Sequence, residues 1–215
     1  MKTRARAVGL GLAGLTLAAC SNVHPGDAAV VDGKSISMKT LDNTAKVYCT
    51  LTLNAAKQQG TSSVSNLDVR RQAVVALVSA LVARKLAAEK GVVVKPSTYE
   101  LTNTQRTQVA KAFPKEDIVE LEKAIEEAQE VSAIAIALAE KSTGQTRNTG
   151  NEAQLAQTGQ AEITKAFKDN DVKFAPRFGL NSSSKAVSDS GSLSVAEVDL
   201  EKPTEDELPA AQRCS

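Results

Sequence analysis

Residues 73–83 read Ala-Val-Val-Ala-Leu-Val-Ser-Ala-Leu-Val-Ala, a stretch that is apolar on nearly every side of a helix. A helix of that kind either crosses a membrane or is surrounded by other elements of a core. Arg70, Arg71, Arg84 and Lys85 bracket the stretch so closely that it is too short to cross a bilayer. We therefore predict that it forms the central buried helix of a mainly α-helical domain.

Helix signals recur on both sides of this stretch. Ser37 and Ser65 are suited to cap helix N-termini, and Gly60, Gly91 and Gly144 follow polar or basic turns that suit helix ends. Ser97 with Glu100 forms a capping-box pattern, which predicts the start of a third helix. We predict five helices, at about residues 38–59, 65–90, 97–113, 114–143 and 152–169.

Two short segments indicate strands. Asp32-Gly33 separates two β-prone runs, which is a strong signal for a two-residue hairpin. Residues 171–175 alternate in polarity and are followed by Pro176, which ends a strand. A small β element is therefore expected beside the helices.

The N-terminus has the pattern of an export signal. Lys2, Arg4 and Arg6 precede an uncharged apolar run over residues 7–18. The ending Leu17-Ala18-Ala19-Cys20 resembles the lipobox of bacterial lipoproteins. The resemblance implies that residues 1–19 are removed, that Cys20 carries palmitate-type acyl chains, and that the protein is anchored on the extracytoplasmic face of a membrane. Residues 20–27 would then form a tether. An ordinary secretory signal with an incidental cysteine is the alternative.

The residue that follows the acylated cysteine influences the membrane to which a lipoprotein is sorted. Ser21 would permit sorting to the outer membrane in a cell with two membranes. Stable anchoring takes two acyl chains, and a diacylated cysteine supplies them.

The charge balance narrows the choice of partners. The full chain has a formal net charge of +1, and three of its positive charges lie in the signal segment, so the remainder is close to −2. A near-neutral chain of this kind lacks the basic footprint of a nucleic-acid-binding protein. No polybasic membrane patch is present either, so the lipid would be the membrane attachment.

Two cysteines remain beyond Cys20. Cys49 lies in the predicted first helix and Cys214 next to the C-terminus. In an extracytoplasmic compartment they could form a disulfide that ties the tail to that helix. Equally, Cys49 could be a small buried apolar residue and Cys214 a free thiol.

Candidate catalytic groups are few. His24 is the single histidine, and it lies in the predicted tether, so we expect no metal site, no cofactor and no histidine-based catalysis. We interpret Glu126, Glu127 and Glu130 as a solvated helix face near Lys123. Two Thr-Gly-Gln segments, at 143–145 and 158–160, lack the spacing of a phosphate-binding loop, and both are interpreted as loops. The chain is not expected to be an enzyme.

The C-terminal segment differs in composition from the rest. Residues 181–215 are rich in serine and then in acidic residues, with little apolar content to bury. We expect this tail to be disordered.

Three segments together resemble the SurA and PrsA group of extracytoplasmic folding factors. Residues 29–37, Ala-Val-Val-Asp-Gly-Lys-Ser-Ile-Ser, look like the opening strand, turn and helix start of that group. Residues 81–94, followed by Ser97 and Glu100, are similar to its leucine-bearing helix and the capped helix after it. Residues 171–179, Asp-Val-Lys-Phe-Ala-Pro-Arg-Phe-Gly, look like the closing strand and turn of its lipoprotein members.

This resemblance covers much of residues 28–180 and implies a helical chaperone module whose closing strand pairs with its opening strand. Many members carry a parvulin-type prolyl isomerase domain between the helical halves, but only residues 143–150 separate helices four and five here. The resemblance therefore implies an ATP-independent chaperone for secreted or envelope polypeptides, without isomerase activity. An envelope scaffold that binds one folded partner is the alternative. The exposed faces of helices three and four are candidate client contacts, although their apolar positions also fit a core.

Overall fold

The computed structural model describes residues 23–60, 63–114, 116–187 and 209–214. Within them the fold is mainly α-helical with a small antiparallel sheet, which confirms the predicted fold class. The elements are β1 (Asp27–Val31), β2 (Lys34–Ser37), α1 (Met38–Gln58), α2 (Asn66–Glu89), α3 (Asn103–Ala112), α4 (Ile118–Thr143), α5 (Glu152–Asp169) and β3 (Val172–Phe174), with short 3-10 turns at Pro96–Thr98, Pro176–Phe178 and Ala210–Gln212.

The sheet joins the two ends of the helical domain. Its strand order is β2-β1-β3, with both neighbours antiparallel to β1. Asp32 and Gly33 adopt φ values of 47° and 77°, the left-handed pair that a tight hairpin turn requires, so the predicted hairpin is confirmed. Ala29 is paired with Phe174, so the closing strand returns to the opening strand.

Helix α2 occupies the centre of the bundle, as its all-round apolar sequence predicts. It contacts α1, α4, α5 and β1. Val74, Val78 and Val82 on this helix have no exposed surface. Burial of each such side chain favours folding by about 2 kcal/mol, so this helix contributes substantially to the core.

Helices α4 and α5 pack with their backbones in close contact. A Cβ atom built on Gly159 would lie 1.7 Å from the carbonyl oxygen of Ala135, so only glycine fits there. The segment Thr158-Gly159-Gln160 lies inside α5, and its interpretation as a loop was wrong. Glycine is placed there by helix packing and not by a turn.

The third helix begins later than its sequence suggests. Residues 96–98 form a 3-10 turn, and the capping box that starts α3 consists of Thr102 and Gln105. Between them Leu101 is buried, and its N–H donates to Glu126 Oε1 at 3.0 Å. Anchoring of Leu101 on α4 interrupts the helix predicted from Ser97 and Glu100.

The fourth helix also begins later than predicted. Pro114 precedes it, and the first helical residue is Ile118. Asp117 is the N-cap, because its carboxylate accepts hydrogen bonds from the N–H groups of Val119 and Glu120.

The tail is ordered at both of its described ends, so the prediction of disorder over 181–215 is wrong there. Asn181 Oδ1 accepts from the N–H groups of Ser183 and Lys185, which forms a turn after the domain. Residues 209–214 pack against the α1–α2 connection through Cys214, which is 7% exposed. The rest of the predicted tail, the predicted signal at 1–19 and Cys20 lie outside the described residues.

Candidate functional site

An open cleft of about 1320 Å³ lies between α1 and the α3–α4 connection. One wall is the outer face of α1 from Asp42 to Lys57. The other wall is formed by residues 112–114 and by residues from 116 to 121, and Arg213 and Cys214 also line the space. We call this space the cleft.

The cleft presents apolar and polar side chains in alternation. Val47 and Leu53 are half-buried on the α1 wall, interspersed with Asn43, Thr50 and Asn54. On the facing wall Phe113 is half-buried and Pro114 is exposed. Such a surface can contact apolar side chains and also offer hydrogen bonds to an extended backbone.

Opposite charges face each other across the cleft. Lys46 and Lys57 are exposed on the α1 wall, while Glu116, Asp117 and Glu120 are exposed on the other. At the base, the Arg70 guanidinium contacts Asp42 Oδ1 at 2.6 Å, which ties α2 to α1. The cleft therefore carries no single dominant sign of charge.

Helix α3 and its connection are held to the bundle mainly by polar contacts. Arg106 forms ion pairs with Glu122 and Glu126, and its Nε donates to the carbonyl of Leu101 at 3.2 Å. No residue of α3 itself is fully buried. Helix α3 itself is thus attached mainly by ion pairs and hydrogen bonds.

The glutamates of α4 are structural ion-pair partners, so their interpretation as a solvated face near Lys123 was wrong. Arg84 donates to Glu130 at 2.5 Å and to Glu127 at 3.0 Å, which joins α2 to α4. Glu126 belongs to the Arg106 pair described above. Their arginine partners lie on α2 and α3, so the spacing of residues within α4 cannot reveal these ion pairs.

Tyr48 lies on α1 at the edge of this ion-pair group. Burial, with a smaller effect from the charge of Glu127, raises the pKa of its hydroxyl. Tyr48 therefore stays neutral throughout the physiological pH range and serves as packing between the cleft and the core.

A disulfide joins Cys49 on α1 to Cys214, with the two Cα atoms 5.6 Å apart. This decides between the two alternatives that the sequence left open. Both cysteines line the cleft, and Cys214 N–H also donates to the Val64 carbonyl at 2.8 Å. We call residues 209–214 the strap, because the disulfide holds them across the α1–α2 connection.

Within the residues that the structure describes, no three histidine, cysteine or acidic side chains come together to hold a metal. His24 is in the turn before β1, where its N–H donates to Asp27 Oδ2 at 3.1 Å. No helix in the same ranges has the length and hydrophobicity to cross a membrane.

The turn of the sheet carries an ion pair that gives stability a defined pH dependence. Hydrogen bonds from Lys85 Nζ, at 2.6 Å, and from the Asp171 N–H lower the pKa of Asp32. A carboxylate whose pKa is lowered by folding stabilises the fold at pH values above its unfolded-state pKa of 3.8. This stabilisation is lost as the pH falls through the folded-state pKa. Asp32→Asn should therefore lower the Tm at pH 7, and this difference should shrink as the pH falls below 3.8. Asparagine also tolerates the positive φ at this position.

The partner group sets the alkaline limit of the same effect. The hydrogen bond to Asp32 raises the pKa of Lys85. The stability that the charged Lys85 contributes is therefore fully present below pH 10.5, and it is lost as the pH rises through the folded-state pKa. Thermal melts of wild type and Asp32→Asn from pH 2 to pH 11 check both limits. A difference in Tm that does not shrink between pH 7 and pH 2 would contradict this assignment.

The sequence predicts only part of this site. It allows a Cys49–Cys214 disulfide as one of two possibilities, and it indicates candidate contacts on the exposed faces of helices three and four. The structure instead forms the cleft from α1 and the connection between α3 and α4. The α1 wall of the cleft could have been recognised from the sequence, because the polar residues Asn43, Lys46 and Thr50 lie beside apolar positions on one face of that helix.

Comparison with models of protein families, with curated proteins and with solved structures finds no match to this chain.

Proposed function

We propose that this protein is a lipid-anchored, ATP-independent chaperone that binds unfolded secreted or envelope polypeptides in the cleft. The observation that carries the proposal is the open cleft between α1 and the α3–α4 connection, with its interspersed apolar and polar side chains. Modest apolar patches on a polar surface suit weak binding of unfolded chains. Occupation of the unfolded state lowers its free concentration, and aggregation slows by mass action.

Two features of the sequence support the same proposal. The lipobox-like ending at Cys20 implies a location outside the cytoplasm, where unfolded secreted chains emerge. The segments that resemble SurA and PrsA imply a chaperone module, and the short α4–α5 connection leaves no room for a parvulin domain, so the proposal includes no isomerase activity.

The proposal is tested with thermally denatured citrate synthase, whose aggregation is followed by light scattering without ATP. Wild type at several-fold molar excess should slow aggregation in a concentration-dependent way. Phe113→Asn should weaken this suppression several-fold, since it removes the aromatic group from one wall of the cleft. Val93→Asn is the matched control, because Val93 is 88% exposed and does not line the cleft.

Equal suppression by wild type and Phe113→Asn would place the activity outside the cleft. Absence of suppression by wild type would contradict the chaperone proposal. Recovery of one folded partner in stoichiometric amount would then favour an envelope scaffold.

Lipid attachment is tested separately at Cys20. Wild type expressed in a bacterial host should incorporate labelled palmitate and fractionate with membranes, whereas Cys20→Ser should lose the label and most of the membrane association. Cys49→Ser is the matched control and should keep the label. Labelling of Cys20→Ser would show that the acyl chains are attached elsewhere.

A further inference from the structure

The strap covers apolar side chains that are continuous with the cleft. Cys214 packs with Val64 and Val69, and this cluster extends to Tyr48, Leu53 and Ala56 on α1. Leu53 also lines the cleft itself. We call these five apolar residues the patch.

The disulfide is the covalent attachment of the strap to α1. Among the described residues it is also attached by the hydrogen bond from the Cys214 N–H to the Val64 carbonyl, by the β-bridge between Ser65 and Arg213, and by the burial of Cys214. Residues 209–212 are all exposed. Fixing six residues of backbone costs conformational entropy, and the covalent bond offsets part of that cost.

We propose that the Cys49–Cys214 disulfide is a redox-controlled latch, whose reduction releases the strap and adds the patch to the surface that binds unfolded polypeptides. This inference rests on the proposed function and deepens it, because it specifies how the capacity of the cleft is regulated. In the oxidised protein the strap occupies the patch; in the reduced protein an apolar side chain of an unfolded client takes its place.

A dithiol reductant supplies the two electrons for release. Its thiolate attacks the sulfur of Cys49, which is half-buried and lines the cleft, and the S–S bond breaks as Cys214 leaves and takes a proton. The second thiol of the reductant displaces Cys49, which takes the second proton. The reductant departs as a disulfide, and the protein holds two thiols.

Reduction is expected to act locally. The main core around α2 contains neither cysteine, whereas the cluster beneath the strap contains Cys214 with Cys49 beside it. The five helices should therefore persist while the strap becomes exchange-competent.

The test uses the purified mature protein and reduced, carboxymethylated lactalbumin as a permanently unfolded probe without free thiols. Hydrogen exchange and probe affinity are measured with and without a dithiol reductant. Reduction should abolish protection of the Cys214 amide and tighten probe binding by roughly threefold to tenfold, as expected for a modest added apolar area. Cys49→Ser/Cys214→Ser should show the tighter affinity without reductant.

Leu53→Asn removes an apolar group of the patch and should abolish the gain on reduction. Leu67→Asn is its matched control, since Leu67 is 44% exposed and belongs to neither the patch nor the cleft lining. An amide of Cys214 that stays protected after reduction would overturn the latch. Probe binding that is equal in both redox states would also overturn the latch and leave the proposed chaperone function intact. Absence of probe binding in both states would overturn the two together.

Discussion

Gly159→Ala should destabilise this protein by about 3 kcal/mol or more, although alanine is the better helix former by about 1 kcal/mol. The added Cβ would lie 1.7 Å from the carbonyl oxygen, 2.3 Å from the carbonyl carbon and 2.7 Å from the Cα of Ala135. All three atoms belong to the backbone of α4, so no side chain can rotate away. The two helices must separate, which opens the contact that α4 and α5 make along the bundle.

The measurement is a thermal or chemical melt of Gly159→Ala beside wild type. A loss of this size corresponds to a decrease in Tm of roughly 6–12 °C for a domain of this length. Gln160→Ala, at the exposed neighbouring position, should stay within about 0.5 kcal/mol of wild type. Ala135→Gly should not rescue the variant, because the contact does not involve the side chain of Ala135. A Tm equal to or above that of wild type would refute the close packing of α4 and α5.

Loss of the disulfide is the second large effect. The bond joins residues separated by 165 positions, and closing so long a loop restricts the unfolded chain by about 5 kcal/mol in the chain-entropy account. Measured effects of native disulfides are commonly about 2–4 kcal/mol. Cys49→Ser/Cys214→Ser should therefore lower the Tm by roughly 5–15 °C while the helical circular dichroism of the folded state is retained.

Reductant provides the internal control for this prediction. Wild type in a dithiol reductant should melt at the temperature of the double variant, and the double variant should not respond to reductant. A disulfide that closes a loop of this length predicts a larger change in Tm than about 2 °C. A double variant that melts within about 2 °C of oxidised wild type would therefore show that the two cysteines are not bonded in the folded protein.

The features predictable from sequence were those that local patterns determine. An all-round apolar segment bracketed by arginines can only be an interior helix in a chain of this kind, and α2 is that helix. Asp32-Gly33 specifies its turn through two residues that tolerate positive φ. Ser37 and Ser65 cap their helices as their positions indicate.

Features that depend on residues far apart in the sequence could not be predicted from local patterns. The helix expected from Ser97 is interrupted because Leu101 is bound to Glu126, 25 positions away. Gly159 looked like a loop signal, but its role is set by the backbone of α4. The glutamates of α4 gain their partners from Arg84 and Arg106 on other helices, and the cleft exists only once α1 faces the α3–α4 connection.

Site-specific photocrosslinking can show whether an unfolded chain binds in the cleft. A photoreactive amino acid is placed at Lys46, which is exposed on the α1 wall, and at Lys165, which is exposed on α5 away from the cleft. With reduced, carboxymethylated lactalbumin as the client, we expect strong crosslinking from position 46 that an excess of unlabelled client removes, and little from position 165. Crosslinking of equal strength at both positions, or from position 165 alone, would contradict binding in the cleft.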